Sequence, residues 1–365
     1  MISRNALSLK TAARVTNMLP RYLLRIRACL GLLIFLLATA CSPPPMAKEQ
    51  VIVFGSVTAI ETWLKEVGWW QTGAGDGPLQ VPRAILTGIA PEWQSAAQGI
   101  TVPEKKEIFY RLMLPLVLHA NEMVRERRQR LAAARETLKA GKALEPDELQ
   151  SLQNAAVLLR IGDESAAATL GEDQAAQLAV IDEALFKLDE IPPGLVLGQA
   201  AYESGYGTSR FAVEGNALFG QWTFGEGLVP NQQRKKLGDH RIASFDWPFD
   251  SVRAYYLNLS SHPAYADFRQ LRAQLKAQKK PVTSLALADG LRSYSERGQA
   301  YVDTLKGIIT TNQLDRADTA VFRNEDQHFL VTTDSEEKAA ELRKEIVALR
   351  QSGELAEIIA RMRLD

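Results

Sequence analysis

The segment with the clearest chemical potential is Tyr202-Glu203-Ser204-Gly205-Tyr206-Gly207. Ahead of it, Ile191-Pro192-Pro193-Gly194 reads as the opening of a helix, because proline is tolerated in a first helical turn. Leu195, Val196, Leu197, Ala200 and Ala201 supply a buried face, and Gly205 is placed as the C-terminal cap. Glu203 then falls in the last helical turn, where the negative end of the helix dipole opposes a carboxylate charge. Tyr202 and Tyr206 beside it reduce solvation, and both effects push a glutamate pKa upward. A carboxylic acid kept protonated near neutrality is the group that protonates a glycosidic oxygen. The bland alternative is a helix end that merely exposes a glutamate. A mechanism with two carboxylates also needs a base or nucleophile opposite the acid, ~5–9.5 Å away.

A second stretch, Asn216-Ala217-Leu218-Phe219-Gly220-Gln221-Trp222-Thr223-Phe224-Gly225-Glu226-Gly227, alternates large aromatics with glycines. Glycine is unfavourable inside a core strand, so this reads as a turn-rich lobe with exposed rings. Aromatic faces stack on sugar rings, and Phe219 and Trp222 are candidates for that contact, with simple core packing as the alternative. Other chemistries fit poorly. His119, His240, His262 and His328 are scattered without an H-x-x-x-H spacing, so no metal site is expected. Ser204 lacks the glycine two places earlier that a nucleophile elbow requires. The G-x-G at Gly73–Gly75 runs into Pro78 with no helix opening, and no Walker loop or cofactor is implied.

Several stretches together carry a family resemblance: Ala200 through Ser209, Asn216 through Gly220, Ala243-Ser244-Phe245 to Ser251-Val252-Arg253-Ala254-Tyr255, and Gln299-Ala300-Tyr301-Val302. They resemble bacterial glucosaminidases, peptidoglycan hydrolases of the group that includes flagellar and autolysin glucosaminidase domains. Arg210 through Asn216, Gly227-Leu228-Val229-Pro230, Tyr294-Ser295-Glu296-Arg297-Gly298 and Met113 through Leu118 are similar to the Bax-type branch. The resemblance spans about residues 80–312, with its catalytic part at residues 185–312. It implies a mainly α (α+β) fold, a lysozyme-like helical lobe with a small β lobe forming a glycan cleft. It implies hydrolysis of the β-1,4 bond after N-acetylglucosamine, with Glu203 as general acid and Tyr301 lining the cleft near the scissile bond. Tyr202, Tyr206, Asn216, Phe219 and Trp222 are the expected substrate-binding residues. In related domains a second acid comes from the β lobe; Glu226, Asp239, Asp246 and Asp250 are the candidates here, and Glu226 is taken as the catalytic one. The substrate's own N-acetyl oxygen is the alternative to that base. Two rival functions stay open: a lytic transglycosylase using the same Glu203, and a module that binds or scaffolds peptidoglycan without cutting it.

The elements that must position these residues are mostly helices. From Val102 the pattern turns helical, with Pro103 and Glu104 favouring a helix start, and Pro115 is expected to kink or break that element. A helix then runs through Glu122–Leu138 to Gly141, its Arg125–Arg130 run reading as a solvated face. Pro146–Arg160 and Glu172–Leu188 have the i, i+3, i+4 apolar spacing of amphipathic helices. Residues 80–184 are accordingly a helical N-terminal region. Val51–Phe54 reads as a short strand and Glu61–Glu66 as the beginning of a short helix, and the rest of residues 41–79 reads as tether and loop. In the tail, residues 313–365, Phe329-Leu330-Val331 could be a strand and Thr333 stands at capping-box spacing from Glu336 ahead of an amphipathic helix.

Composition sets the class and hides an asymmetry. The 365 residues are 46% hydrophobic and 24% charged, which excludes a mainly disordered chain. With 43 basic and 43 acidic residues the chain is neutral, which argues against a nucleic-acid partner. Residues 1–40 hold six basic residues and no acid, so the remainder carries 37 basic against 43 acidic residues. Arg21, Arg25 and Arg27 precede an uncharged stretch from Ala28 to Ala40, thirteen residues long where a membrane span needs ~20. A basic region, a short apolar region and small residues make a secretory signal. Its end, Leu37-Ala38-Thr39-Ala40-Cys41, resembles a lipobox in which Cys41 takes a lipid; simple cleavage after Ala40 is the alternative. Met18 would be the start of a leader of ordinary length. Ser42 after the cysteine favours the outer membrane by resemblance to sorted lipoproteins. The expectation is a periplasmic protein, lipid-anchored to the outer membrane, with peptidoglycan glycan strands as partner and an unknown regulatory protein restraining it.

Overall fold

The computed structural model describes residues 50–70, 77–162, 170–171, 173–223, 225–230 and 241–355. The leader, Cys41 and its tether, Gly73 and Gly75 of the G-x-G loop, and Asp239 lie outside them. Strand β1 (Gln50–Phe54) leads into helix α1 (Val57–Glu66), whose cap Ser56 accepts from the Ala59 N–H at 3.2 Å. Strands β2 (Gln80–Val81) and β3 (Ala84–Leu86) precede helices α2 (Trp93–Gly99) and α3 (Val102–Lys139). Then come α4 (Pro146–Leu158), α5 (Gln174–Lys187), α6 (Pro193–Ser204) and α7 (Arg210–Gly215). An antiparallel pair, β4 (Trp222–Thr223) and β5 (Arg241–Ile242), is followed by α8 (Pro248–Ser261), α9 (Ala266–Ala277), α10 (Ser284–Leu287) and α11 (Gln299–Thr311). The chain ends in β6 (Val321–Phe322), β7 (His328–Thr332) and α12 (Glu336–Ser352). The fold is mainly α with few, short strands, of the lysozyme-like type that the resemblance implies.

The segments read separately at the two ends of the sequence fold together. Strand β7 lies between β1 and β3 and pairs in parallel with both, Ile52 and Leu86 each opposite Leu330. Strands β2 and β6 form a second parallel pair. Parallel neighbours cannot be joined by a tight hairpin and need a long crossover, and here most of the molecule is that crossover. The expected cap of the last helix is corrected: the capping residue is not Thr333 but Ser335, whose hydroxyl accepts from the Lys338 N–H at 3.3 Å. Thr333 instead turns its hydroxyl to the Phe54 carbonyl at 3.1 Å, tying β7 to β1.

Helix α3 spans 38 residues, about 57 Å at 1.5 Å per residue, and opens with a capping box between Thr101 and Glu104. Its first half belongs to the main core with the terminal sheet, α6, α8 and α11. Its second half, through Leu131, Ala134 and Leu138, shares a separate small core with Leu152 of α4 and Ile181 and Ala184 of α5. The arginine run is not only a solvated face. Arg125 pairs with Glu190 at 2.7 Å, and Arg128 donates to the carbonyls of Leu185 and Leu188, the unsatisfied end of α5.

Pro115 does not break this helix. A proline has no N–H, so the Arg111 carbonyl one turn earlier loses its partner in the helix. The Trp69 indole N–H fills that place, donating to the Arg111 carbonyl at 2.9 Å from a fully buried ring. The Arg111 guanidinium lies over the same ring, 4.3 Å from its centre. Trp69→Phe should therefore lower stability by about 1–3 kcal/mol, the usual consequence of orphaning a buried polar group. In a Pro115→Ala background, where the helix can close its own bond, denaturant unfolding should show a smaller loss; equal losses in both backgrounds would contradict the account.

Candidate active site

Helix α6 carries Glu203, and its approach to α11 determines what lies beneath that carboxylate. A Cβ built on Gly198 would stand 3.1 Å from Leu305 and Ile309 of α11. One turn earlier, a Cβ on Gly194 would collide with the Leu314 carbonyl at 2.3 Å. The glycine face thus admits α11 at Gly198 and the Leu314 backbone just beyond it at Gly194, with no side chain between them. Asp318 holds the start of α6, accepting from the Gly194 N–H at 3.0 Å and the Ser284 N–H at 2.7 Å. Burial pushes the Asp318 carboxyl up, and these hydrogen bonds pull it back.

The helix ends at Gly205 in the left-handed conformation, as its place in the sequence implies, and Tyr206 and Gly207 continue at positive φ. A tyrosine at φ +61° is strained and must be held. Its own N–H donates to the Ala201 carbonyl at 2.9 Å, and its carbonyl accepts from the Trp93 indole at 2.9 Å. Buried Ser204 donates to the Ala200 carbonyl at 2.6 Å and accepts from the Gly207 N–H at 2.8 Å. The backbone around Glu203 is therefore pinned on both sides.

Glu203 is partly buried, and the Tyr301 hydroxyl donates to its Oε1 at 2.9 Å. Burial pushes the Glu203 carboxyl above its ordinary range, and the Tyr301 bond acts in the opposite direction without cancelling it. Tyr301 is only 1% exposed, so it lies under Glu203 and offers its hydroxyl rather than a ring lining the surface. Its ring stacks on Tyr294 at 5.6 Å and meets Tyr202 edge-on at the same separation. Burial first, and the Glu203 charge among further causes, raises the hydroxyls of Tyr255, Tyr265, Tyr294 and Tyr301. The carboxylate rests on a floor of tyrosines.

Behind that floor is Gln199, one helical turn before Glu203 and 0% exposed. Its Nε2 donates to the Tyr301 hydroxyl at 2.9 Å, and its Oε1 accepts from the Tyr255 hydroxyl. Gln199 is absent from the residues singled out in the sequence, and Tyr255 and Tyr294 stand in the stretches that carry the resemblance without an expected role in the site. The i, i+4 spacing of Gln199 and Glu203 is a usable signal, but it does not say what lies opposite the helix.

The other expected residues divide between surface and core. Trp222 on β4 is 53% exposed, and Tyr202 is partly exposed with its hydroxyl accepting from the Arg297 guanidinium. Phe219 is 2% exposed and stacks on Tyr255 at 4.1 Å, so it is a core ring and not a groove ring. Tyr206 packs edge-on against Phe109 and Tyr110 of α3, so the desolvation of Glu203 expected from it falls to the tyrosine floor. Asn216 is left-handed at the end of α7, and its amide joins three segments: Oδ1 accepts from the Ile89 N–H at 3.1 Å, and Nδ2 donates to the carbonyls of Phe245 and Asp246 at 3.1 and 2.9 Å. That amide is a structural clamp in place of the expected sugar contact. Glu226 is exposed beyond β4, and among the described residues no hydrogen bond or ion pair joins it to Glu203. Asp250 is engaged at the start of α8 with the Trp247 N–H and Arg253, while the Asp246 carbonyl serves Asn216.

A carboxyl whose pKa is raised on folding favours the folded state below its unfolded pKa, and that contribution is lost as pH rises through the folded value. Glu203→Gln removes this penalty. Thermal unfolding should show the variant more stable than the parent at pH 8, with the difference shrinking toward pH 4; a difference independent of pH would show that Glu203 is not held against ionisation.

Residues 181–314 match the glucosaminidase family, described as mannosyl-glycoprotein endo-beta-N-acetylglucosaminidase. The chain is also 39% identical over 129 residues to protein bax of Escherichia coli (strain K12), an overlap of 35% of this chain and 46% of that protein. The chain thus spans less than half the length of that relative. No solved structure matches it. The α6 to α11 segment that builds the Glu203 site is the matched part, and residues 181–314 form a glucosaminidase-family domain of the Bax type.

Proposed function

We propose that this chain is a peptidoglycan hydrolase that cleaves the β-1,4 bond after N-acetylglucosamine, with Glu203 as the general acid. The observation that carries the reading is the Glu203 carboxyl itself: raised by burial, held by Tyr301, and set in the stretch that matches the glucosaminidase family. In the chemical step the Glu203 proton passes to the glycosidic oxygen as the bond from the sugar's anomeric carbon to that oxygen breaks, and the bonding pair stays with the leaving oxygen. The oxygen of a water ends on the anomeric carbon, and one of its protons stays as the new hydroxyl. The other passes to Glu226, or back to Glu203 where the N-acetyl oxygen assists, and the product is a reducing N-acetylglucosamine. Glu226, or the substrate's N-acetyl oxygen, supplies the assistance on the opposite face. Trp222, with its ring half in solvent, offers a stacking surface for a sugar. The proposal extends to place: a leader of residues 1–40, a lipid on Cys41 at the start of the mature chain, and a periplasmic site at the outer membrane.

Purified sacculi test the reaction. Glu203→Gln should lose about 10²–10⁴-fold in turnover while still sedimenting with sacculi. Mass spectrometry of the parent digest should show reducing N-acetylglucosamine ends. Anhydro-muramic ends would replace the proposal with a lytic transglycosylase, and unchanged turnover by the Gln variant would leave a binding module.

A further inference from the structure

Glu203 has two carboxyl oxygens, and a general acid works only if its proton is on the one that meets the substrate. A protonated carboxyl beside a hydroxyl has two arrangements. The hydroxyl can donate to it, or the acid can donate its proton to the hydroxyl oxygen and be occupied. Distance alone does not separate them; the partners of the hydroxyl do.

Those partners form one directed chain. Tyr255 is completely buried, and among the described residues its hydroxyl has a single hydrogen-bond partner, Gln199 Oε1. The hydroxyl must donate there, since reversing the Gln199 amide would aim an N–H at it and leave the phenol proton without an acceptor. With Oε1 so assigned, Nε2 faces Tyr301 and donates to its oxygen at 2.9 Å. Because the Gln199 amide presents only a donor to that oxygen and offers the Tyr301 proton no acceptor, the proton turns to Glu203 Oε1, 2.9 Å away. Each bond in the sequence Tyr255, Gln199, Tyr301, Glu203 thereby points the same way, and bonds aligned like this reinforce one another.

We infer that Gln199 is a positioning residue that locks the polarity of Tyr301, so that Tyr301 always donates to Glu203 Oε1 and the catalytic proton resides on Oε2. The inference rests on Glu203 being the general acid. Without the Gln199 amide the Tyr301 oxygen loses its donor, and protonated Glu203 can turn its proton inward to fill that place. That arrangement adds a hydrogen bond to the protonated form, raises the carboxyl's pKa further, and withholds the proton from the glycosidic oxygen.

Gln199→Met, which keeps the length of the side chain, tests it on purified sacculi against Tyr301→Phe and the double variant. Gln199→Met should lower kcat about tenfold, the scale of one hydrogen bond to a charged group, with KM little changed. The alkaline limb of kcat/KM should move to higher pH. Because Gln199 acts only through the Tyr301 hydroxyl, the double variant should be no slower than Tyr301→Phe alone. Tyr255→Phe releases the amide without touching Tyr301 and should shift the same limb in the same direction; it serves if Gln199→Met does not fold. A parental pH profile in both variants, or losses that multiply in full in the double variant, would overturn the polarity lock while leaving Glu203 as the acid. Activity retained by Glu203→Gln would remove the acid and this inference with it.

Discussion

The contact on which this molecule most depends is the close approach of α6 to α11. It is made possible by an absence, the missing side chain of Gly198, with Gly194 admitting the Leu314 backbone just beyond α11, and it places Tyr301 directly beneath Glu203. A methyl group at Gly198 would require Leu305 and Ile309 to give by a few tenths of an ångström, and larger groups would push the helices apart. A hydrogen bond of 2.9 Å does not survive such a displacement, since the interaction weakens quickly with distance and angle. Asp318 secures the same approach from the far end by joining the start of α6 to Ser284. A partly buried carboxylate at a helix N-terminus is favourably placed, because it meets the positive end of the helix dipole.

Support for the site also comes from outside the stretch that matches the glucosaminidase family. Trp93 holds the Tyr206 carbonyl, and the Ile89 N–H meets the Asn216 side chain. Both residues follow β3, whose partner is β7 near the other end of the chain. Thr87 and Thr332 add bonds across that seam, to the Leu330 and Gly88 carbonyls. Strain in the left-handed turn after Glu203 is therefore balanced by a sheet that forms only when the two ends of the chain meet. Residues far apart in sequence share in keeping a carboxylate partly out of water, a state that works against folding at neutral pH.

What was legible in the sequence follows from what is local. Gly205 as a helix cap, Pro103 in a first turn and the apolar spacing of α4 and α5 depend on a few neighbouring residues. The helix end carrying Glu203 could be read from them. Partners of high sequence separation could not. Nothing in Val51–Phe54 says that it pairs with Phe329–Thr332, because a parallel pairing leaves no turn in the sequence to announce it. Pro115 misled for a related reason: its cost is local, while its remedy, the Trp69 indole, comes from a different segment. Phe219 and Asn216 show the same limit in side chains. An aromatic between glycines and an asparagine after a short helix look like surface chemistry until Tyr255 and Ile89 arrive beside them.

The opposing influences on Glu203 become coherent when the reaction is considered as a change of charge. Burial favours the protonated acid, which is the form the proposed reaction begins with, whereas the Tyr301 hydrogen bond favours the anion. If holding the proton were the only requirement, Tyr301 would be a defect. As the proton leaves for the glycosidic oxygen, however, Glu203 becomes a carboxylate with little solvent to receive the charge. The Tyr301 bond then changes from neutral to charge-assisted, and such bonds are roughly twice as strong. An interaction that strengthens along the reaction lowers the barrier, while one equally strong at the start does not. In the proposed reaction burial thus sets the acid ready, and the buried hydroxyl, already aimed by its neighbours, stabilises what the acid would become.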